Sequence, residues 1–128
     1  MQYIYDDGGR SKYYKGKKAA DCCIRSIALV TGKPYKEVWE SLLEIARVTG
    51  CFPNQPDTYG SYLHSLGYTE HKLGRAGHLR DYDGFDRDTN YIAHVTGHFT
   101  AVINGDIHDT WDCGRKNLCR IWYRYNES

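Results

Sequence analysis

Residues 97–111 read GHFTAVINGDIHDTW and predict a β-hairpin. Apolar, β-branched and aromatic residues flank a central Asn-Gly pair, which is typical of a two-residue hairpin turn. This turn fixes the register of the two strands and puts Thr100 opposite Asp109. His98 then falls on the same face as Asp109, as its diagonal neighbour at roughly 7–8 Å between backbones. The hairpin therefore predicts a histidine and a carboxylate within side-chain reach of each other.

The same register predicts what surrounds this pair. Trp111 lies opposite His98, where its ring is placed to shield the pair from water. His108 and Asp112 point to the other face of the hairpin. A slip of one residue would exchange the two faces. Asp112 is therefore the alternative carboxylate partner of His98.

The segments around this hairpin predict one α+β domain. A chain of 128 residues is about one domain by length. We expect an irregular arm over 1–20, a helical half over 21–67 and an antiparallel sheet over 68–128, with the helices packed on the sheet. The predicted helices lie between Asp21 and Gly32, between Pro34 (at the first helical position) and Gly50, and over 57–66; the predicted strands are 2–5, 68–72, 91–95, 98–103, 107–111 and 118–125.

The first helix opens on Asp21-Cys22-Cys23, which suggests a nucleophile. Asp21 suits the N-cap position, so Cys22 lies in the first turn, where unpaired N–H groups and the helix dipole favour a thiolate. Cys23 is rotated by about 100° from it and is expected to pack as a small hydrophobe. A thiol, a histidine and an orienting carboxylate are the set that nucleophilic catalysis needs. The sequence predicts Cys22 as nucleophile, His98 as base and Asp109 as orienting acid.

These motifs also resemble a family of small phage and prophage proteins with a papain-like cysteine peptidase fold, similar to bacteriocin-leader-processing peptidases. The resemblance covers most of the chain and rests on DDGGR, YKG, DCCIRSIALVTGKPYKEV and GHFTAVINGDIHDTWD. It implies a papain-like fold and assigns the nucleophile, base and acid to Cys22, His98 and Asp109. It also implies thiol-dependent hydrolysis of a peptide or isopeptide amide through an acyl-enzyme, with a phage or host protein as substrate.

The chain departs from the papain-like pattern at the oxyanion donor. Such enzymes supply Gln or Asn shortly before the cysteine, whereas the six residues before Cys22 are GKKAAD. Asp21, Lys17 and Lys18 are the candidates for this role, or the oxyanion hole is incomplete. A second hypothesis follows: the same fold binds a host protein, and its cysteine is incidental.

Composition argues against several other classes. A net charge of +1 excludes a disordered or strongly polybasic protein. No stretch approaches ~20 apolar residues and the start lacks a signal-peptide pattern, so we expect a cytoplasmic protein without membrane contact and with free thiols. The stretch RSKYYKGKK resembles a platform for single-stranded nucleic acid, but the near-neutral charge of the whole chain argues against nucleic acid as a partner.

We expect no metal and no cofactor. Cys113 and Cys119, with Cys51 and a histidine, form a zinc alternative, but five residues separate the first two, more than the two to four typical of zinc sites. The acidic run DYDGFDRD lacks the glycine and the final glutamate of a calcium loop at the required positions, and a solvated loop is expected there. Arg25 is expected to form an ion pair with an aspartate or glutamate.

Overall fold

A computed structural model of the chain describes residues 1–14 and 21–124. Within these residues three helices pack on one six-stranded sheet, so the predicted α+β class is confirmed. Short 3-10 helices cover Arg10–Lys12 and Leu79–Asp81. The helices are α1 (Cys22–Thr31), α2 (Tyr35–Thr49) and α3 (Pro56–Ser65); the strands are β1 (Tyr3–Tyr5), β2 (Thr69–Lys72), β3 (Tyr91–Val95), β4 (His98–Ile103), β5 (Asp106–Asp109) and β6 (Leu118–Tyr123).

The helices begin and end close to the predicted positions. α1 ends at Gly32, whose φ of 74° is the left-handed conformation that glycine adopts at little cost. Pro34 occupies the N-cap of α2, one position before the predicted one. α3 begins and ends one residue early. The apolar faces are unaffected by these shifts, since Ile27, Val38 and Leu63 are almost completely buried.

The central hairpin has the predicted register. Ile107 pairs with Val102 and His108 pairs with Ala101 in the antiparallel ladder between β4 and β5. On the side away from β5, β4 pairs with β3. The strand order of the sheet is β1-β5-β4-β3-β6-β2. The register argument was therefore correct for the two strands that carry the candidate histidine and acid.

The prediction of a purely antiparallel sheet confined to 68–128 was wrong at one edge. β1, from the N-terminal arm, pairs in parallel with β5, with Tyr3 opposite Ile107. A three-residue strand shows too little periodicity to reveal its partner, and parallel pairing joins segments that are distant in sequence. The arm therefore belongs to the sheet.

β5 also ends earlier than predicted, at Asp109 instead of Trp111. The Asp109 carboxylate accepts the N–H of Thr110 at 2.7 Å, and Asp112 accepts the N–H of Gly114 at 2.9 Å. Aspartates that bond the backbone ahead of them compete with a strand ladder and favour turns. The chain consequently leaves the sheet directly after Asp109.

A hydrophobic core lies on each face of the sheet. The three helices cover one face, where Ile27, Leu42 and Leu63 pack with Ile92 and Trp122 of the sheet. The loop between β2 and β3 covers the other face. Its Tyr82 and Phe85 pack on the core there, so the predicted solvated loop is correct for its exposed aspartates and wrong for these two rings. The core of this second face comprises Leu79, Tyr91, Ala93, Val95, Val102, Ile107, Cys113, Leu118 and Ile121.

Candidate active site

His98 and Asp109 form a buried hydrogen-bonded pair at facing ends of β4 and β5. His98 Nε2 and Asp109 Oδ2 are 2.6 Å apart, and both residues are less than one tenth exposed. Burial alone would lower the pKa of His98, yet its hydrogen bond with Asp109 raises this pKa to about 11. Burial alone would raise the pKa of Asp109, but the same hydrogen bond holds it below its ordinary value. The ionised pair is therefore the stable form.

Cys22 lies beside this pair, in the first turn of α1, where the helix packs against β4. The half-buried thiol lies close enough to the His98 ring and to the backbone N–H of Phe99 for both groups to lower its pKa. Burial raises the pKa of the thiol, but His98, the Phe99 N–H and the nearby positive charge of Arg25 bring this pKa below its ordinary value. The structure thus brings together Cys22, His98 and Asp109.

The alternative acid, Asp112, is not part of this group. Its carboxylate accepts the N–H of Gly114 and shapes the turn after β5. Trp111 does pack on His98, with ring centroids 4.8 Å apart. The Trp111 side chain is itself 42% exposed, so it shields one side of the imidazole.

The Asp21 side chain forms an ion-pair network instead of the predicted N-cap hydrogen bond, and its role at the oxyanion stays a prediction. Asp21 stands at the N-cap of α1, but its side chain makes no capping hydrogen bond. Oδ2 accepts hydrogen bonds from Arg10 at 3.1 Å and from the Tyr35 hydroxyl at 2.8 Å, and Oδ1 binds Arg25. With both oxygens occupied by donors, this carboxylate has no hydrogen to offer to an oxyanion. Lys17 and Lys18, the other candidates, lie outside the described residues.

The motif DDGGR, which sequence reasoning left inside an irregular arm, places Arg10 at the site. Asp6 and Asp7 accept the N–H groups of the two glycines that follow them, at 3.0 and 2.9 Å. Gly8, with a φ of 68°, lies so close to α1 that an added Cβ would be 2.9 Å from the carbonyl oxygen of Arg25. An aspartate followed by glycines is a recognisable turn signal, although its contact with α1 is not readable from the sequence.

Cys113 is a further residue of the site that the sequence did not reveal. It is 1% exposed, and its sulfur lies 3.9 Å from Asp109 Oδ2. Among the described residues, His98, Asp109 and Cys113 could hold a metal, because their donor atoms lie within 4.8 Å of one another. The nearby Arg25 guanidinium, 3.5 Å from Asp109, and the strongly held proton on His98 oppose a cation at this position.

The cysteines of the predicted zinc alternative are not assembled. The Cys51 sulfur faces the carboxylate of Asp57 at 4.0 Å, and the Cys119 sulfur faces the carbonyl of Asn117 at 3.7 Å. Neither belongs to the group of donor atoms around Cys113. The five cysteines are all free thiols, as expected.

Space for a ligand lies on the other side of the first turn of α1. The hollow next to Cys22 is too narrow for a water molecule. A pocket of about 320 Å³ opens beside Cys23, which is buried as predicted and whose thiol pKa is raised by burial. This pocket is mainly apolar and is lined by Cys23, Ile24, Trp39, Phe52, Pro53 and Asn54.

Comparisons with protein-family models, with curated proteins and with solved structures gave no match to this chain. The resemblance to phage peptidases and the papain-like classification therefore stay predictions. Within the described residues, no helix is both long and apolar enough to cross a membrane.

Proposed function

We propose that the protein is a thiol-dependent amide hydrolase with Cys22 as nucleophile, His98 as general base and Asp109 as the acid that orients His98. One observation carries this proposal: a thiol at a helix N-terminus lies beside a histidine whose Nε2 is held by a buried carboxylate. Nucleophile, base and orienting group in this order are the arrangement that acyl transfer requires.

The proposed reaction begins from the Cys22 thiolate beside protonated His98, the form in which the thiol proton already lies on the histidine. Because Asp109 engages Nε2, Nδ1 is the ring nitrogen that remains for this proton. The thiolate attacks the amide carbonyl, and we assign the oxyanion to the backbone N–H of Cys22, at the start of α1, and to one further donor that is not identified. His98 then protonates the leaving amine, which departs and leaves a thioester on Cys22. A water molecule that gives its proton to His98 cleaves this thioester and restores the thiolate beside protonated His98.

The pocket of about 320 Å³ beside Cys23 has room for one apolar side chain of a peptide or isopeptide substrate. Four further parts of the proposal rest on the sequence resemblance alone. They are the papain-like fold, an origin in a phage or prophage, a phage or host protein as substrate, and a location in the host cytoplasm.

The second candidate is a protein of the same fold that binds a host protein without turnover. It is favoured by the missing Gln or Asn before Cys22 and by the engaged carboxylate of Asp21, which removes one substitute donor. The two candidates differ in whether the thiol of Cys22 is activated.

Alkylation by iodoacetamide, followed against pH and located by peptide mass analysis, distinguishes them. We expect Cys22 to react with an apparent pKa below about 8.5, the ordinary thiol value. His98→Ala should raise this pKa towards the ordinary value, while replacement of the exposed His64 on α3 by alanine should leave it unchanged. Cys51, which is half-buried and faces the carboxylate of Asp57, is the internal control.

Two results would contradict the proposal. If Cys22 reacts no faster than Cys51 at neutral pH, the thiol is not activated and the binding candidate stands. If Cys22 is fast but indifferent to His98→Ala, the histidine is not its base. A fast, His98-dependent thiol justifies a screen of peptide amides, with Cys22→Ser as the inactive reference.

A further inference from the structure

A continuous series of charges leads from Arg10, which is half-buried in the N-terminal arm, to the buried candidate acid. Arg10 contacts Asp21 at 3.1 Å, Asp21 binds Nη1 of Arg25, and Nη2 of Arg25 lies 3.5 Å from Asp109 Oδ1. Asp109 in turn holds His98. The Arg25 side chain is 11% exposed, and those of the two aspartates are 4% exposed or less.

The two oxygens of Asp109 have separate partners. Oδ2 faces His98 Nε2, while Oδ1 faces the Arg25 guanidinium and the N–H of Thr110. A carboxylate held at both oxygens cannot rotate about its Cβ–Cγ bond without losing one of these contacts. Arg25 therefore helps to keep Oδ2 against His98.

Arg25 is also well suited to this position in the chain. It follows Cys22 by three residues, so both side chains share one face of α1. Its two terminal nitrogens each reach one carboxylate, one at the start of α1 and the other on β5. A lysine carries one ammonium on a flexible stem and has no planar fork with which to bridge two carboxylates in this way.

The charges of this group balance when the site is in its reactive form. Arg10, Arg25 and protonated His98 are positive; Asp21, Asp109 and the Cys22 thiolate are negative. Buried charges are strongly unfavourable unless they are paired. Loss of Arg25 would leave the two buried carboxylates with Arg10 and His98 as their remaining positively charged partners.

We infer that Arg25 is a positioning residue of the hydrolase, which holds the Asp109 carboxylate in the orientation that fixes the His98 ring. This inference rests on the proposed function. It goes beyond the ion pair expected from the sequence, because the Arg25 guanidinium would orient, through Asp109, the histidine that takes part in the reaction.

The test is the titration of the His98 ring, followed by ¹⁵N NMR in a Cys22→Ser protein and in the same protein with Arg25→Met or Arg25→Lys. Serine in place of Cys22 removes the thiolate, so a difference in the titration between this protein and its Arg25 variants reports on Arg25, with Asp109 and Cys113 present in each. The two possible roles of Arg25 predict opposite signs. If Arg25 acts only as a neighbouring positive charge, its removal should raise the pKa of His98. If Arg25 holds Asp109 in place, its removal should lower this pKa, because a loosened carboxylate stabilises the imidazolium less.

We expect Arg25→Met to lower the pKa of His98 by about one unit, a tenfold change in proton affinity. Arg25→Lys should also lower it, because the bridge is lost while the cation that opposes the imidazolium remains. Arg47→Met, which removes an exposed arginine paired with Glu44, should change nothing. An unchanged or raised pKa of His98 in the Arg25 variants overturns the inference.

If Arg25→Met does not fold, Arg25→Lys decides alone by the same sign, because it keeps the buried cation. The result is also separable from the test of the proposed function. Ordinary reactivity of Cys22 in the wild-type protein defeats catalysis, while the His98 titration in the Cys22→Ser protein still reports whether Arg25 positions Asp109.

Discussion

Replacement of Gly8 by alanine tests whether the N-terminal arm must lie directly on α1. Gly8 has a φ of 68°, and a Cβ there would lie 2.9 Å from the carbonyl oxygen and 3.0 Å from the Cα of Arg25. A left-handed conformation costs an alanine about 1–2 kcal/mol. Overpacking against a backbone that cannot rotate aside adds about 1–3 kcal/mol. We therefore expect Gly8→Ala to lower the free energy of unfolding by about 2–5 kcal/mol.

Gly32→Ala is the matched control. Gly32 has nearly the same conformation, with a φ of 74°, but an added Cβ would meet no atom within 4 Å. This variant should lose only the conformational part, about 1–2 kcal/mol. Urea unfolding of both variants and the wild type gives the difference, which corresponds to a further midpoint shift of roughly 1 M for Gly8→Ala.

Equal losses in the two variants would refute the reasoning, because the close approach of Gly8 to Arg25 would then have no energetic consequence. The folded Gly8→Ala protein gives a second readout. An arm displaced from α1 moves Arg10 away from Asp21, so the alkylation rate of Cys22 should also fall. Gly32→Ala should leave this rate unchanged.

Two further predictions concern the acid and the histidine. Asp109→Asn should raise the apparent alkylation pKa of Cys22, because the neutral amide no longer favours the imidazolium form of His98. Asp112→Asn should leave this pKa unchanged. Equal effects of the two variants in alkylation assays would contradict the choice of Asp109 as the acid. The second is a pH dependence of stability, measured by urea unfolding of Cys22→Ser with and without His98→Ala. Since the pKa of His98 is raised from 6.5 in the folded protein, its stabilising contribution should be complete below pH 6.5 and decline as the pH rises towards about 11. A difference between the two proteins that grows with pH would contradict the paired, charged form of His98.

The features that could be predicted from the sequence depend on local rules. The Asn-Gly turn sets the register of β4 and β5, and that register brings His98 to Asp109. The helical spacing after Asp21 places Cys22 in the first turn of α1. Both rules act over a few residues, so no knowledge of the remaining chain was needed.

The features that could not be predicted depend on long-range contacts. Asp21 has the residue type and position of an N-cap, yet two arginines and a buried tyrosine hydroxyl compete for its carboxylate, and one of these partners comes from the arm. Cys113 reaches Asp109 only because the chain turns directly after β5. In both cases the deciding partner lies outside any local pattern.

The parallel pairing of β1 has a practical consequence for handling the protein. Asp6 donates its N–H to the carbonyl of Asp109 at 2.9 Å, and the Tyr3 hydroxyl bonds the same carbonyl at 3.2 Å. The first six residues thus cover the edge of β5, the strand that carries Asp109. An affinity tag crowded against Gln2, or proteolytic trimming of these residues, would uncover the edge of β5 as a template for strand addition and aggregation. Purification and storage conditions that leave this end of the chain intact therefore protect the site as well as the fold.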